Sequence, residues 1–493
     1  MNYLVVDVGS SSVKICLAEL TEGRVFQMKD IYRLPMTRSF INGHLSTNVF
    51  LIYDCICWVL GNLVKENVRI DSLGIDSWCS DFCLMDLDTG SVLPPVFYRD
   101  KRTDGYMNKV EEKMSYREIY NLTTQRKMPD STLTQLMAYQ DEYADGLKGN
   151  KKILFIGDFL MYLFTGKICS EASVASYSQM YNLKKSAFED RIFETFRIPG
   201  TIQPPVIPAG TVIGPIRKDL QDFLGTDETV VTAPAVHDTS SAAVAVPAGK
   251  DEKWAFLATG SWFLMGMELE ETADVQKSYE HQMSNTALAF GHVLLKKNIM
   301  GMWLLQECKR QWEKEGIKLE YGDIAAKAEA AEPFYALIDT EYPDFYHPDD
   351  MVKEIRKYLK ITGQRVPEKD DLGQITRIIY ESIVLRSAEA FDMLKDVTGK
   401  EIEVLYVIGG ANRVAMLNQF LADILGITVR TGPSEASSMG NALIQAYGMG
   451  ELGTEEEIRE VVRSCTVCTE FSPGRKDAWD RQKEKYKGLC GGR

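Results

Sequence analysis

Short apolar runs that end in glycine and hydroxyl residues recur along the chain. The first covers residues 4–8, and after a Gly/Ser turn the segment 12–18 resumes the pattern of a strand. Residues 72–76 form a further run with the length of a buried strand. Helical spacing of apolar residues surrounds residues 118–120, 132–143 and 155–164. This pattern predicts an α/β fold.

The second half of the chain repeats this opening scheme. Residues 229–234 are predicted as a strand, the polar residues that follow as a turn, and the small residues up to 246 as a helix that Pro247 closes. Residues 254–267 then repeat the order of strand, Gly/Ser/Thr turn and strand. We therefore predict two domains of similar design, spanning residues 1–247 and 248–493.

Several glycine-rich or hydroxyl-rich turns follow predicted strands. Backbone N–H groups in such turns are suited to binding phosphate oxygens. One turn alone is weak support, because backbone geometry also demands glycine there. Turns at matching places in the two halves strengthen the prediction of a phosphate ligand, and they lie at residues 9–12, 260–261, 409–410 and 432–440.

Composition and charge narrow the class of protein. The 493 residues are 45% hydrophobic and 26% charged, as in ordinary soluble proteins, and the net charge of −14 disfavours nucleic acid as a partner. No apolar run reaches the roughly 18 residues of a membrane helix. Asp7 interrupts the apolar N-terminal stretch, which therefore fails as a signal peptide. We expect a cytoplasmic monomer or homodimer that binds neither nucleic acid nor membranes.

The commonest phosphate-binding and metal-binding motifs are absent or misplaced. The chain has no G-x-x-x-x-G-K-[ST] loop, and its one G-x-G-x-x-G, at residues 448–453, trails a helix-like segment and is predicted to be a plain loop. Cys465 and Cys468 form a lone CxxC without the further ligands of a zinc site. We interpret them as ordinary thiols.

Asp7 and Lys14 flank the first of these turns. A carboxylate at the end of a buried strand needs a partner. For Asp7 that partner is either Mg²⁺, held through water, or the turn that it caps. Lys14 either contacts phosphate or is an exposed lysine of the strand.

Asp238 is the best candidate for a catalytic base. It stands at a predicted strand-to-helix junction, after His237 and before three hydroxyl residues. A carboxylate there can accept the proton of a hydroxyl group that attacks a phosphoryl group. It can equally cap the helix predicted to begin near Thr239, and the two roles are compatible.

Eight sequence blocks accompany these residues over nearly the whole chain: VVDVGSSSVK, GIDSWCSDFCLMD, YRDKRTDG, FIGDFLMYLFTGK, VHDTSSAAVAVPA, ATGSW, KNIMGMWLLQEC and VIGGANRVAMLNQFLADILGITVRTGPSEASSMGNALIQA. In their sequence and order they resemble the FGGY family of carbohydrate kinases. The resemblance implies two ribonuclease H-like domains of the actin and hexokinase type, with a cleft between them. It further implies a sugar-binding N-terminal domain, an ATP-binding C-terminal domain, and Mg²⁺ beside the ATP.

Within the family, the blocks SWCSDF, YRDKRTDG, HDT and KNIMGMWLLQEC are most similar to L-rhamnulokinases. This similarity implies that Asp238 deprotonates the C1 hydroxyl of a ketose, L-rhamnulose, to give the 1-phosphate. It also implies that His237, Thr239 and Asn298 contact the sugar. The residues implied to contact ATP are Ser10, Ser11, Ser12, Val13, Lys14, Ser261, Gln306 and Gly410.

Some positions depart from that subfamily. Cys79 stands where a sugar-facing glycine is usual, and Trp78 and Asp81 are candidates for the same pocket. Alternatively, Trp78 is a core tryptophan and Asp81 is a carboxylate that stabilises a turn. Residues 283–290 also lack the Asn-Glu-Gly-Gly type of sequence. A kinase of L-fuculose or L-ribulose and a non-catalytic, actin-like nucleotide-binding protein are therefore the alternative functions.

Overall fold

The structure, a computed structural model, describes residues 1–226 and 228–490 and divides into two compact units. Each unit is discontinuous in sequence, whereas the predicted domains are continuous halves. The first unit contains Met1–Pro247, Glu268–Leu295 and Ala436–Cys465. The second contains Ala248–Met267, Lys296–Glu435 and the described residues from Thr466 onwards.

The strands begin close to the positions that the apolar runs predict. Residues 4–8 lie in β1, residues 12–18 in β2 and residues 72–76 in β6, as the strand pattern indicates. In chain order the strands are β1 (Asn2–Val8), β2 (Ser12–Leu20), β3 (Phe26–Pro35), β4 (Arg38–Ile41), β5 (His44–Thr47), β6 (Ser72–Ser77), β7 (Phe82–Asp86), β8 (Val92–Leu93), β9 (Lys151–Phe155), β10 (Ser170–Glu171), β11 (Tyr181–Asn182), β12 (Ala187–Phe188), β13 (Val206–Ile207), β14 (Val212–Pro215), β15 (Val230–Thr232), β16 (Trp254–Thr259), β17 (Trp262–Leu269), β18 (Ser284–Ala287), β19 (Val293–Met300), β20 (Val404–Gly409), β21 (Thr428–Thr431) and β22 (Glu470–Phe471).

The helices include those predicted around residues 118–120, 132–143 and 155–164, which are α3, α4 and α5. In chain order the helices are α1 (Val49–Lys65), α2 (Tyr106–Lys113), α3 (Tyr116–Thr123), α4 (Thr132–Glu142), α5 (Ile156–Thr165), α6 (Ala172–Ser176), α7 (Asp190–Phe196), α8 (Lys218–Leu224), α9 (Asp238–Val244), α10 (Val275–Glu280), α11 (Trp303–Lys314), α12 (Tyr321–Ala330), α13 (Met351–Ile361), α14 (Leu372–Thr398), α15 (Ala415–Leu425), α16 (Ala436–Gly448), α17 (Glu455–Cys465) and α18 (Lys476–Cys490).

The first unit is built on a six-stranded sheet with the strand order β14-β15-β6-β1-β2-β3. β1 pairs antiparallel with β2 and parallel with β6, and β15 pairs parallel with β6. Helix α16 packs against β1 and β6, and α9 packs against α16. The β1 side chains from Tyr3 to Val6 are fully buried, as expected for a central strand covered by helices.

The second unit repeats this strand pattern. β16 pairs antiparallel with β17 and parallel with β20, and β20 pairs parallel with β21. β16 thus corresponds to β1, and β20 to β6. The repeat predicted from the Gly/Ser/Thr turns is therefore confirmed at the level of strand pairing.

Local sequence determines several helix boundaries. The Asn48 side chain accepts a hydrogen bond from the Leu51 N–H at the start of α1. Ser115 and Glu118 form a capping box at the start of α3. Gly399 ends α14 with a φ of 63°, a left-handed conformation that glycine adopts without strain.

One prediction needs correction. The turn predicted over residues 432–440 is shorter, because α16 begins at Ala436 and Gly440 lies inside that helix.

The C-terminal helix α18 packs on the second unit. Its residues Trp479 and Tyr486 are buried, and the indole of Trp479 packs against Phe334 and Phe420. Within residues 1–226 and 228–490, none of the helices has both the length and the apolar character needed to cross a bilayer.

Candidate active site

The end of β1 brings a carboxylate, an ammonium group and two hydroxyls together. Asp7 and Lys14 are partners in the β1–β2 register, and Lys14 Nζ lies 3.6 Å from Asp7 Oδ2. The same oxygen accepts hydrogen bonds from Ser437 Oγ (2.6 Å) and Ser438 Oγ (3.2 Å) at the start of α16. Lys14 is buried, so the interpretation as an exposed strand lysine is wrong.

The hydroxyl-rich turn joins β1 to β2. Gly9 N–H donates to the Ser12 carbonyl, which closes the turn. The Ser10 carbonyl accepts from Arg38 Nη2, and the Ser11 carbonyl accepts from Met36 N–H. Ser11 itself is exposed, and its neighbours are partly exposed. The turn is therefore fixed through its carbonyl groups while its hydroxyl-bearing residues remain accessible.

Asp76 is a second carboxylate beside Asp7 that the sequence interpretation missed. It is the Cα partner of Asp7 across the parallel β1–β6 pair and is fully buried. Its Oδ2 accepts from Asn441 Nδ2 at 2.5 Å, whereas its Oδ1 has no hydrogen-bond partner in the part of the chain that the structure describes. Burial, and then the nearby Asp7, raise the pKa of Asp76 well above its ordinary value.

These oxygens fit a magnesium ion. Mg²⁺ prefers carboxylate and water oxygens and is usually held in proteins through one or two carboxylates. Asp7 supplies a partly exposed carboxylate, the two serines supply hydroxyls, and Asp76 supplies an oxygen that has no donor among the described residues. The only signal in the sequence was an aspartate inside the apolar run GIDSW.

Asp238 is the first residue of α9, and the residue before it lies beside the end of β6. An isolated parallel bridge joins Ser77 to His237, and His237 occupies the N-cap position of the helix. Asp238 Oδ1 accepts from the N–H and the hydroxyl of Thr239 and lies 3.7 Å from His237 Nε2. The predicted N-cap role of Asp238 is therefore wrong by one residue, because the helix already includes it.

The predicted base and sugar contacts of the HDT block, residues 237–239, lie in one short segment. Their side chains differ in solvent exposure. The His237 side chain is 6% exposed, and its Nδ1 contacts Ser240 Oγ at 3.1 Å. The Asp238 side chain is 32% exposed. The ring of Tyr177 lies 5.5 Å from that of His237. A buried imidazole that contacts Ser240 therefore precedes a partly exposed carboxylate.

Trp78, Cys79 and Asp81 follow β6 and are all buried. Asp81 Oδ2 accepts from Trp78 Nε1 (2.9 Å) and from Tyr98 N–H (3.1 Å), and its Oδ1 accepts from Gln135 Nε2 (3.1 Å). Burial raises the pKa of Asp81 to about 7 against the opposing effect of these donors. The structure thus places Trp78 and Asp81 in one hydrogen-bonded unit, in which both carboxylate oxygens have protein donors.

In the second unit, two predicted nucleotide residues are in contact. Ser261 Oγ donates to Gln306 Oε1 at 2.8 Å. The Ser261 carbonyl accepts from the N–H groups of Gly301 and Trp303, which fixes the turn to the start of α11. Asn298, predicted to contact the sugar, lies in this unit on β19 and is partly exposed.

The turn at Gly409 and Gly410 follows β20, the parallel neighbour of β16. Gly409 has a φ of 86°, and a Cβ there would lie 2.4 Å from the Thr259 carbonyl oxygen, so glycine is required. Ala411 N–H donates to Thr259 Oγ1 at 3.1 Å. The turns that contain Ser261 and Gly410 therefore leave two adjacent parallel strands at the same edge of the sheet.

A separate cluster contains Glu268, His292 and Glu455, whose ligand atoms lie within 4.8 Å of one another. Arg459 Nη2 lies 2.5 Å from Glu268 Oε2, and its Nε donates to Glu455 Oε1 at 2.8 Å. His292 Nδ1 contacts the other oxygen of Glu268. The guanidinium group balances the carboxylate charge, so this cluster is an ion-pair network that does not require a metal.

Known proteins resemble this chain over most of its length. Models of the FGGY family of carbohydrate kinases match residues 2–245 with the N-terminal domain and residues 255–449 with the C-terminal domain. A rhamnulokinase from Bacteroides thetaiotaomicron is 33% identical over 97% of both chains. Rhamnulokinases from Ligilactobacillus salivarius and Bacillus subtilis are 32% and 31% identical over 91% and 96% of this chain, and over equal shares of their own.

Solved structures agree on the fold. A ligand-bound xylulose kinase from Lactobacillus acidophilus has a TM-score of 0.78 at 16% identity and covers 99% of this chain and 97% of its own. The glycerol kinase of Plasmodium falciparum with ADP has a TM-score of 0.77 at 15% identity over the same shares of the two chains. At such low identity the likeness shows a common two-domain, actin-like fold and no more.

Proposed function

The chain belongs to the FGGY family of carbohydrate kinases, and on that premise we propose that it phosphorylates L-rhamnulose at the C1 hydroxyl, with Asp238 as general base. The coarser statement rests on the comparisons: the protein is a sugar kinase that uses ATP as co-substrate. The substrate proposal rests on the rhamnulokinase relatives at 30–33% identity.

The accessibility of Asp238 is the observation that carries the assignment of the base. Asp76 and Asp81 are fully buried, whereas the Asp238 side chain keeps 32% of its surface exposed. A general base must lie within hydrogen-bond distance of the proton that it removes, which a sealed carboxylate cannot do. Asp238 alone of these three meets that condition.

The proposed reaction is an in-line phosphoryl transfer. Asp238 Oδ accepts the proton of the sugar C1 hydroxyl, and the oxygen forms a bond to the γ-phosphorus of ATP. The bond from that phosphorus to the β,γ-bridging oxygen breaks, and ADP leaves with both electrons of the bond. His237 and Thr239 flank the base and contact the sugar, together with Asn298.

Residues of both units are proposed to contact ATP. Ser10, Ser11, Ser12, Val13 and Lys14 belong to the first unit, and Ser261, Gln306 and Gly410 to the second. The buried Lys14 ammonium provides a fixed positive charge beside the turn. Asp7, with Asp76 behind it, would hold Mg²⁺. The ion, when bound, neutralises the negative charge on the transferring phosphoryl group.

Cys79 is the residue at which the proposed specificity for L-rhamnulose can be tested most directly. The thiol is buried beside the Trp78–Asp81 unit, at the site where the subfamily carries glycine. A cysteine side chain is larger than the hydrogen of glycine, so it changes the shape of the proposed sugar pocket. L-fuculose and L-ribulose are the competing substrates for a pocket of different shape.

The test is a coupled ADP-release assay of the full chain with Mg-ATP against L-rhamnulose, L-fuculose, L-ribulose, D-xylulose and glycerol. We expect the highest kcat/KM for L-rhamnulose. The variant Asp238→Asn is expected to bind ATP as the wild type does and to lose about 10²–10⁴ in kcat.

The outcomes separate the parts of the proposal. A higher kcat/KM with another sugar would overturn L-rhamnulose and keep the sugar kinase. Unchanged turnover of Asp238→Asn would remove Asp238 from the role of base. No ADP release with any sugar, despite intact ATP binding, would favour the non-catalytic alternative.

A further inference from the structure

The backbone of the two residues before Asp238 forms hydrogen bonds on two sides. On one side, β6 provides the Ser77 N–H, which donates to the Val236 carbonyl at 2.8 Å. On the other side, Val236 N–H donates to Glu171 Oε2 at 2.8 Å, and His237 N–H donates to Ser173 Oγ at 3.0 Å. On this second side, two side chains thus bind the backbone N–H groups.

Glu171 and Ser173 act as one unit. Ser173 Oγ donates to Glu171 Oε2 while it accepts from His237 N–H, so the hydroxyl uses both its donor and an acceptor. Glu171 is 1% exposed and Ser173 is fully buried. A buried carboxylate is stable only when donors surround it, and here the backbone that leads to Asp238 supplies one of them.

A further carboxylate fixes Glu171 in turn. Asp158 Oδ1 accepts from Glu171 N–H at 3.1 Å, and its Oδ2 accepts from Ser170 Oγ. Asp158 is 2% exposed and lies in the first turn of α5. A connected series of buried hydrogen bonds therefore runs from α5 through β10 and α6 to the segment before α9.

No flexible residue separates this segment from the proposed base. His237 is the N-cap of α9, its carbonyl accepts from the N–H groups of Ser240 and Ser241, and Asp238 follows as the first helical residue. A shift of the His237 peptide therefore moves the Asp238 carboxylate with it.

We propose that Glu171 and Ser173 are positioning residues for Asp238: their side chains set the place of the base by binding the two backbone N–H groups that precede it. The inference rests on the proposed role of Asp238. Neither residue needs to contact substrate, so its loss should affect the chemical step and leave nucleotide binding unchanged.

The test compares Ser173→Ala with a matched control, Ser178→Ala, in the full chain. Ser178 is equally buried, two residues beyond α6, and its hydroxyl donates to the Ala175 carbonyl and accepts from Met180 N–H. Both variants lose one buried hydroxyl that binds backbone. We expect kcat to fall about 10- to 100-fold in Ser173→Ala only, with the KM for ATP within about twofold in both variants.

A double-mutant cycle connects the effect to the base. In the Asp238→Asn background, Ser173→Ala should cause no further loss of kcat, because the residue that it positions is already inactive. If Ser173→Ala does not fold, Glu171→Gln serves in its place. It keeps the size of the side chain but replaces the carboxyl group by an amide, which has a single acceptor oxygen, and we expect about a fivefold or greater loss of kcat.

Equal kcat values for Ser173→Ala and Ser178→Ala would overturn the inference, as would an equal effect of Ser173→Ala in both backgrounds. Full turnover of Asp238→Asn is a different result, since it would remove Asp238 from the role of base, on which this inference rests.

Discussion

A methyl group added at Gly440 would lie inside the neighbouring helix. Gly440 faces α9, and a Cβ built there would lie 1.8 Å from the Ser241 carbonyl oxygen and 2.6 Å from its carbonyl carbon. Both are backbone atoms, which cannot rotate away as the end of a side chain can. Gly440→Ala therefore tests whether the place of α9, and of Asp238 at its first position, depends on this contact.

The size of the effect follows from the geometry. The contact must open from 1.8 Å to at least 3.0 Å, the shortest distance that real Cβ atoms show, so the helices must separate by 1.2 Å. Overpacking of this kind costs about 1–3 kcal/mol of stability. A displacement of about 1 Å at a catalytic group costs about 10²-fold in rate. We therefore expect both a lower Tm and a kcat about 10²-fold lower.

Thermal unfolding and the ADP-release assay measure these two effects. The control is Gly322→Ala in α12, where an added Cβ meets no atom within 4 Å. In that helix the change should stabilise by about 0.5–1 kcal/mol and leave kcat unchanged. An unchanged Tm for Gly440→Ala would refute the packing argument. A lower Tm with unchanged kcat would refute the link between the place of α9 and turnover.

Three further predictions follow from other parts of the molecule. Gly409→Ala should lower the Tm and raise the KM for ATP. The new Cβ would lie 2.4 Å from the Thr259 carbonyl oxygen, and a φ of 86° is strained for alanine. An unchanged KM would contradict the nucleotide role of that turn. Asp7→Asn keeps the shape of the side chain but removes its charge, and should raise the Mg²⁺ concentration for half-maximal turnover about tenfold or more, whereas an unchanged Mg²⁺ titration would remove Asp7 from the metal site. Glu268 raises the pKa of His292 above its ordinary 6.5. This stabilisation is present below pH 6.5 and is lost as the pH rises through the raised pKa, so His292→Gln should flatten that part of the Tm–pH curve, and parallel curves would contradict the ion pair.

Local pattern was sufficient for the first hairpin and for the strand at residues 72–76. Residues 4–8 and 12–18 show the apolar spacing of a hairpin, and the structure pairs β1 with β2 there. The position of Asp238 at a strand-to-helix junction was likewise predictable from its neighbours. Such features depend on residues close in sequence, which is why a single chain reveals them.

Contacts between distant segments were not predictable in this way. Asn441 donates to Asp76 across 365 positions, and Ser437 donates to Asp7 across 430. Gly440 illustrates the same limit. Its sequence neighbours favoured a turn, whereas the structure requires a glycine there because α9 approaches closely. Glu171 and Ser173 carried no motif at all, because their role depends on where Val236 and His237 lie in space.

The most direct measurement is ³¹P and ¹³C NMR of the products that the full chain forms from Mg-ATP and L-rhamnulose. We predict equal amounts of ADP and a sugar phosphate whose phosphorus couples to C1, with neither product formed at an appreciable rate by Asp238→Asn. A phosphate on another carbon, or ADP with free inorganic phosphate in place of a sugar phosphate, would contradict the proposed C1 phosphorylation.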